Sequence, residues 1–412
     1  MSHKKLLVIL FLVFSSFQHF YAQDASPSPY SFFGMGDVTF KGAVENISMG
    51  GINAYVDSLH YNMNNVASLS ELKFVSFSFG MLNNFVLLSD TQSKDWRSTH
   101  KASYFSLALP FGKKAGFGFG LTPVTSVGYK ILKKTETDVT SYSGRGGTNK
   151  VFVAGSYKIN KYVSIGAEYQ YYFGHIDHEY QWKENDVYTF TQENNQSISS
   201  GHALKVGANF FYDFKQNKYA TFNTNFRLES KLSQENVRET KLISSNGVVE
   251  SITNKHEFTK LLLPYELSVG TGYGSKNRWF IGFEFDYVGL NNFKNNFYDP
   301  SYLTYSDARK FKLGGFYTPQ HNSITSYWKR ITYRLGINYQ DTGMRLYNEA
   351  VNDFGITFGL GLPAGRKISN LNIGFEVGQK GKVSSHLIKE NYFNIHIGLS
   401  LNDSWFIKRK IN

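Results

Sequence analysis

Trp279-Phe280-Ile281-Gly282-Phe283-Glu284-Phe285-Asp286-Tyr287 carries a period of two: Trp279, Ile281, Phe283, Phe285 and Tyr287 are apolar, while Gly282, Glu284 and Asp286 are not. Successive side chains of a strand point to opposite faces, so such a run has one apolar and one polar face. The signal recurs at Tyr333, Leu335, Ile337 and Tyr339 around Arg334, Gly336, Asn338 and Gln340. It recurs again at Phe393, Ile395, Ile397, Leu399 and Leu401 around Asn394, His396, Gly398 and Ser400. Block after block sets aromatics and branched aliphatics on one face against charge and glycine on the other. That is the pattern of an all-β transmembrane antiparallel barrel whose outside meets lipid and whose inside meets water.

The composition agrees. Aromatics make up 17% of the 412 residues, and there are 37 Gly against 8 Pro. Mean hydropathy is only −0.33, as expected when every second residue needs to be apolar. Lys4 and Lys5 precede an apolar run from Leu6 to Phe14, and the small Ala22 stands before Gln23. This reads as a cleaved secretory signal over residues 1–22, too short for a spanning helix of about 20 apolar residues. Export to a bacterial outer membrane follows, with outer-membrane lipid as the first partner. Cysteine is absent, which excludes disulfides, a cysteine-linked lipid anchor and thiol chemistry. The net charge is +12, or +10 without Lys4 and Lys5, but the basic residues stand singly among strands and loops. Nucleic acid is therefore not an expected partner.

Period-two blocks fall at 73–79, 103–109, 115–122, 149–158, 162–173, 203–212, 218–229, 261–272, 279–288, 310–317, 330–340, 353–362, 370–378 and 391–401. That is about fourteen strands, an even number, as single-chain bacterial barrels have. Short and long links alternate. The long ones, at 83–102, 123–148, 174–202, 230–260 and 289–309, are expected as extracellular loops; 318–331 contains a somewhat long inner turn at 321–329. Strand parity turns Glu168, Lys205, Arg227, Glu266, Glu284, Asp286, Lys310, Lys312, Arg334, Glu376 and His396 inward, where opposite charges on neighbouring strands pair and stay hydrated. Parity also points Phe283 at lipid and Gly282 into a wet lumen.

Residues 23–71 do not alternate and have no lipid to face. They are expected to fold into the lumen as a hatch, followed by the barrel over 72–406 and a periplasmic tail at 407–412. The stretch 42–58 has the irregular apolar face of a short helix. Phe32, Phe33, Met35, Ile47, Met49 and Asn65 are the candidate pocket residues of this hatch.

A post-signal segment, a small-residue helix, a step at Asn65-Val66-Ala67 and fourteen strands resemble the FadL-like outer-membrane transport family. The stretch from Ser28-Pro29-Tyr30-Ser31-Phe32-Phe33-Gly34-Met35-Gly36-Asp37 and the ending Ser400-Leu401-Asn402-Asp403-Ser404-Trp405-Phe406-Ile407-Lys408-Arg409-Lys410 are similar to a Bacteroidetes branch of such barrels. The family's Asn-Pro-Ala step lacks its proline here, because Val66 stands in its place. The resemblance implies passage of hydrophobic small molecules, of the fatty acid or hydrocarbon class, through a hatch and a lateral opening. Its alternative implication is a non-transporting barrel partner of a type 9 secretion translocon, as cargo carrier or plug.

No enzyme and no cofactor are expected. His175-Ile176-Asp177-His178-Glu179 has metal-ligand residue types but reads as a solvated strand top, so no metal is assigned. Gly144-Arg145-Gly146-Gly147 lacks the lysine and helix of a phosphate loop, and no Gly-x-Ser-x-Gly elbow is present. An amphiphile entering the lumen would rest its tail on the hatch aromatics and its head on Arg334 or Lys310.

Overall fold

A computed structural model describes residues 26–294, 300–364 and 369–403. The expected signal peptide and the tail at 407–412 lie outside the described residues. Strand β1 (Asp37–Val38) belongs to the N-terminal segment. It is followed by β2 (Val75–Ser89), β3 (Lys94–Phe111), β4 (Ala115–Lys134), β5 (Asp138–Lys158), β6 (Val163–Glu184) and β7 (Thr189–Asp213). Next come β8 (Lys218–Arg227), β9 (Ser230–Ser244), β10 (Gly247–Leu263), β11 (Glu266–Ser275), β12 (Trp279–Val288) and β13 (Leu303–Tyr305). The last five are β14 (Ala308–Tyr317), β15 (Thr332–Leu346), β16 (Glu349–Ala364), β17 (Ser369–Lys380) and β18 (Lys389–Asp403).

Fourteen of these close an antiparallel barrel, in the order β2 to β8, β11, β12 and β14 to β18, with β18 pairing back onto β2 from Lys389↔Ser89 to Asp403↔Val75. The outward side chains form an apolar belt. On β6 they are Ile165, Ala167, Tyr169, Tyr171 and Phe173, and then the outward face turns polar at His175, Asp177, Glu179, Gln181 and Lys183. Phe283 is exposed on the outside and Gly282 is turned inward.

Most of the stretches expected as long loops are instead strand. β4, β5, β6, β7, β9 and β10 continue past the belt as a sheet, with β7 pairing β8 below and β9 above. Beyond Phe173, β6 runs eleven more residues to Glu184, which at ~3.3 Å per residue and a ~40° tilt is roughly 25–30 Å above the belt. The outward face of this fin is polar on β6, and the apolar residues there, Ile176, Tyr180 and Trp182, lie on the opposite face, where Ile176 packs with Val127 and Tyr129. The belt's outward apolar alternation therefore does not announce it. The block at 261–272 is likewise two strands, the end of β10 and the start of β11, parted at Pro264. β8 therefore pairs β11 directly, and Arg227 lies 2.9 Å from Glu266.

The N-terminal segment runs inside the barrel. Its α-turn, α1 (Val44–Ile47), is shorter than the helix expected over 42–58 because Gly50 and Gly51 follow with φ +72° and +85°. That turn sits against a diagonal stripe of inward glycines, Gly282, Gly314, Gly336, Gly359, Gly374 and Gly398, on β12 and β14 to β18. A Cβ on Gly336 would lie 2.1 Å from Gly50 N, and one on Gly314 2.2 Å from the Met49 carbonyl oxygen. The expected wet space at Gly282 is therefore filled: a Cβ there would lie 3.1 Å from Ile52 Cδ1. Gly50 N donates to Thr357 Oγ1 (2.9 Å), and Asn53 donates through its backbone N and its Nδ2 to the Glu284 carboxylate. Further on, a 3-10 turn at Val66–Glu71 crosses toward β2. Val66 N donates to Asn225 Oδ1 (3.2 Å), a bond that proline at this position would forfeit.

At the base, His60 Nδ1 meets Asp57 Oδ2 at 2.7 Å while His60 Nε2 lies 2.9 Å from Asn370 Nδ2 of β17. Burial pushes the Asp57 carboxyl up, but His60 and two backbone N–H donors outweigh it and hold it below the ordinary carboxylate value. Burial pushes His60 down, but Asp57 and then Glu45 outweigh it and raise the imidazole above its ordinary value.

These contacts set the behaviour of the assembled barrel. Gly336→Ala should cost about 1–3 kcal/mol by overpacking and lower the temperature at which the heat-modifiable gel shift is lost. Gly155→Ala, with nothing within 4 Å of the added Cβ, should leave it unchanged. Phe283→Arg should cost ~2–4 kcal/mol if its position is near the bilayer midplane, and Gly282→Arg should also fail to assemble, because Ile52 occupies the space. The raised His60 contributes stability that is complete below its unfolded value of about 6.5 and fades as pH climbs through the higher folded value. The depressed Asp57 contributes stability that is complete above about 3.9 and fades as pH falls through its lower folded value. The stability gap between wild type and His60→Ala should thus be widest between about pH 4 and 6.5 and shrink by pH 9 in urea titrations of the detergent-solubilised protein.

Candidate functional site

Two layers of the N-terminal segment divide the lumen. Residues 27–36 cross its upper part as a strap, tied by Ser28 Oγ donating to Glu390 (2.5 Å), Tyr30 Oη donating to the Ile388 carbonyl (2.6 Å) and Gly128 N donating to Ser31 Oγ (3.1 Å). Residues 43–72 fill the lower part. Between them lies a cavity of about 400 Å³, within the range of small-molecule sites. Its apolar lining comes from Phe33, Met35, Val124, Leu290, Phe293 and Tyr305, its charged lining chiefly from the barrel wall.

Most of these charges have a partner. Lys312 meets both Glu284 (2.8 Å) and Asp286 (2.5 Å), so acids on β12 adjoin a base on β14, as opposed rows on neighbouring strands should. Lys150 lies 3.3 Å from Glu168, Lys205 donates to the Asn64 carbonyl (2.7 Å), and His396 lies 3.5 Å from Glu376. Lys41 of the segment donates to Glu376 at 2.9 Å. Burial pushes the Lys41 ammonium down, but Glu376 and Asp353 outweigh it and the group is held above the ordinary lysine value. Burial likewise pushes Asp37 up, yet Lys380 at 2.5 Å outweighs it and holds the carboxyl low. Among the described residues the Lys310 side chain has no hydrogen bond and no ion pair, and it lines the cavity.

The wall beside the cavity is unzipped. β3 pairs β4 only from Phe105↔Leu121 down to Phe111↔Ala115. Above that point 94–104 of β3 pair only with β2, and β1 takes the vacated edge of β4 through Asp37↔Ser126 and Val38↔Thr125. Thr39 N donates to the Val124 carbonyl at 2.9 Å, extending the contact by one residue. Lys101 of β3 reaches Thr39 Oγ1 (3.3 Å) and Ser126 Oγ (3.2 Å) from across the seam. Val38 is 58% exposed in this seam although it also lines the cavity. The seam opens where the outward apolar residues of β4, Phe117 and Leu121, give way to polar ones.

Of the hatch residues singled out from sequence, Phe33 and Met35 line the cavity. Phe32 turns away to pack edge-on against Tyr129 at 5.0 Å. Ile47 and Met49 are buried in the lower layer, Met49 with Ile52, Ala54, Tyr219 and Phe280. Asn65 is fully buried and donates to the Asn53 carbonyl (3.2 Å). Of the inward charges, Lys205, Arg227, Glu266, Asp286, Lys310, Lys312, Glu376 and His396 line the cavity. Glu168, Glu284 and Arg334 do not: each is buried in the wall, with Arg334 donating to Asn372 Oδ1 (2.9 Å) rather than to a carboxylate. Neither is Arg334 placed to receive a ligand head. Sequence reading passed over Lys101, Lys150, Tyr172, Phe293 and Tyr305. Parity on the blocks at 149–158 and 162–173 points Lys150 and Tyr172 inward, whereas the others fall in stretches read as loops. No cluster of three or more metal-ligating side chains occurs among the described residues.

No curated protein matches the sequence significantly. Among solved structures, the Pseudomonas putida toluene transporter TodX is similar over 90% of this chain and all of its own, at 14% identity and TM-score 0.60. The CymD monoaromatic hydrocarbon channel is similar over 90% and 99% of the two chains, at 12% identity and TM-score 0.55. A Pseudomonas aeruginosa FadL homologue is similar over 90% and 99%, at 10% identity and TM-score 0.56. These likenesses carry the fold. The BamG family model matches residues 1–412, so the chain belongs to the BamG family and is built as a FadL-type barrel.

Proposed function

We propose that this protein is a bacterial outer-membrane channel that passes hydrophobic small molecules between the cavity and the membrane through the side of its wall. The observation that carries this reading is the seam between β3 and β4, which opens beside an apolar-roofed cavity and leaves Val38 in contact with both. A straight path to the far end is disfavoured, because the lower layer sits in backbone contact with the wall glycines. Lateral exit has no such obstacle: β1 holds the edge of β4 through only two residue pairs. The strap at 27–36, fixed by a few side-chain bonds and ending in Gly34 and Gly36 at φ +65° and +95°, is the part suited to act as a hatch.

The relatives named a toluene transporter and a monoaromatic hydrocarbon channel favour hydrocarbons as the first class to try. The free ammonium of Lys310 also suits an anionic head, as of a fatty acid. The second reading, a non-transporting partner of a type 9 secretion translocon, rests on the resemblance of the two chain ends, and no geometric observation favours it.

A Val38→Cys variant tests the route, since the chain has no other cysteine. Unlabelled, it should admit toluene and a long-chain fatty acid into proteoliposomes as wild type does. Blocked with a bulky maleimide, it should fall to the rate of protein-free liposomes. Undiminished uptake after full labelling would rule out the seam as the route.

A further inference from the structure

On the barrel end that carries the short turns, the links between β3 and β4, β5 and β6, β7 and β8, and β11 and β12 are three or four residues long. The link from β14 to β15, residues 318–331, is the exception, and it is ordered by its own bonds. Gln320 N donates to the Lys329 carbonyl (2.7 Å), Arg330 N to the Tyr327 carbonyl (2.9 Å), and Trp328–Arg330 form a 3-10 turn. Folded this way, it leaves apolar side chains outside. Ile324 is 100% exposed, Trp328 72% and Tyr327 42%. A water-facing turn gains nothing from such residues, and the exposure asks for a cover.

The contacts of the loop decide what covers it. Tyr333 belongs to the outward set of β15, with Leu335, Ile337 and Tyr339, and its Oη donates to the Trp328 carbonyl at 3.3 Å. Tyr327 Oη donates to the Pro363 carbonyl near the end of β16 at 3.2 Å. The aromatic pair is therefore drawn over the lipid side of the rim, not across the mouth of the barrel. Lys329 and Arg330 follow directly, and Arg330 lies 5.2 Å over the Tyr327 ring. No acidic residue occurs from 318 to 331. Aromatics with adjacent cations, on the lipid side of a barrel rim, match the chemistry of the headgroup layer, where rings lie at the interface and cations meet phosphate.

We infer that the 318–331 loop is a membrane anchor that inserts Ile324, Tyr327 and Trp328 into the headgroup layer at this end of the barrel, with Lys329 and Arg330 binding anionic phospholipid. The anchor sets the depth of β14, β15 and β16, three of the strands whose glycines seat the N-terminal segment.

The absence of cysteine allows a direct test. A nitroxide on Ile324→Cys is placed by power saturation in liposomes, with oxygen and a water-soluble nickel chelate as collision partners. Leu335→Cys serves as the lipid reference and Tyr188→Cys, at the fin tip, as the water reference, and folding of each is checked by the heat-modifiable gel shift. The label at 324 should favour oxygen over the chelate, between the two references, and should move deeper when phosphatidylglycerol is added to phosphatidylcholine. K329E/R330E should abolish that lipid dependence; if this variant fails to fold, the lipid dependence of the single label decides. A label at 324 that matches position 188 in both lipids would overturn the inference. So would one shielded from both collision partners, as when a second copy of the chain covers the loop.

Discussion

Backbone meets backbone where the Gly50-Gly51 turn lies on the inner wall, and the rest of the molecule is arranged around that contact. Side chains on either surface would hold the two several ångströms apart. Six wall glycines and two turn glycines with positive φ bring Met49 and Gly50 within reach of the carbonyls of β14 and β15. This contact lets α1 and Ile52 fill the lower lumen without a void, and it delivers Asn53 to Glu284 and Lys41 to Glu376. Buried carboxylates that would otherwise be stranded are satisfied by the segment as much as by the wall, so segment and barrel are one folding unit.

The same chain path explains the cavity and the seam. To rise from the glycine groove to the strap, the segment must pass the wall at residues 36–41, and it does so as a strand on β4. β3 diverges there, with Lys101 bridging to the inserted strand through hydroxyls of Thr39 and Ser126 instead of a backbone ladder. An edge left with this little pairing is a weak line in the sheet, since a wall facing lipid depends on pairing its backbone with a neighbouring strand. Position matters too. The weak line lies beside the cavity and apart from the lower layer, which is why the proposed route runs through it.

Period two made the barrel readable, because each strand inside the membrane needs one apolar face and one polar face. The signal ends where the need ends. Above Phe173 the apolar set of β6 changes faces, with Ile176, Tyr180 and Trp182 opposite the polar outward His175, Asp177, Glu179, Gln181 and Lys183, so the fin looked like loop although its backbone stays paired. With 230–260 taken as loop, the hairpin of β9 and β10 was invisible and so was the pairing of β8 with β11 that brings Arg227 to Glu266. Inward glycines were equally ambiguous. In sequence, Gly282 or Gly336 reads as room for water; only the path of 43–53 shows that the room is taken. His60 and Asp57, three residues apart in an irregular stretch, gave no motif, and Arg334 could not be known to face Asn372 on a strand two places away.

The decisive measurement is a structure of the protein in lipid nanodiscs equilibrated with bromobenzene, whose bromine marks where a small hydrophobe resides. Bromine should appear in the cavity between the strap and the lower layer, near Phe33, Phe293 and Tyr305, and again at Val38 in the seam between β3 and β4. Bromine confined to the bilayer, with β3 and β4 paired along their full length, would contradict lateral passage.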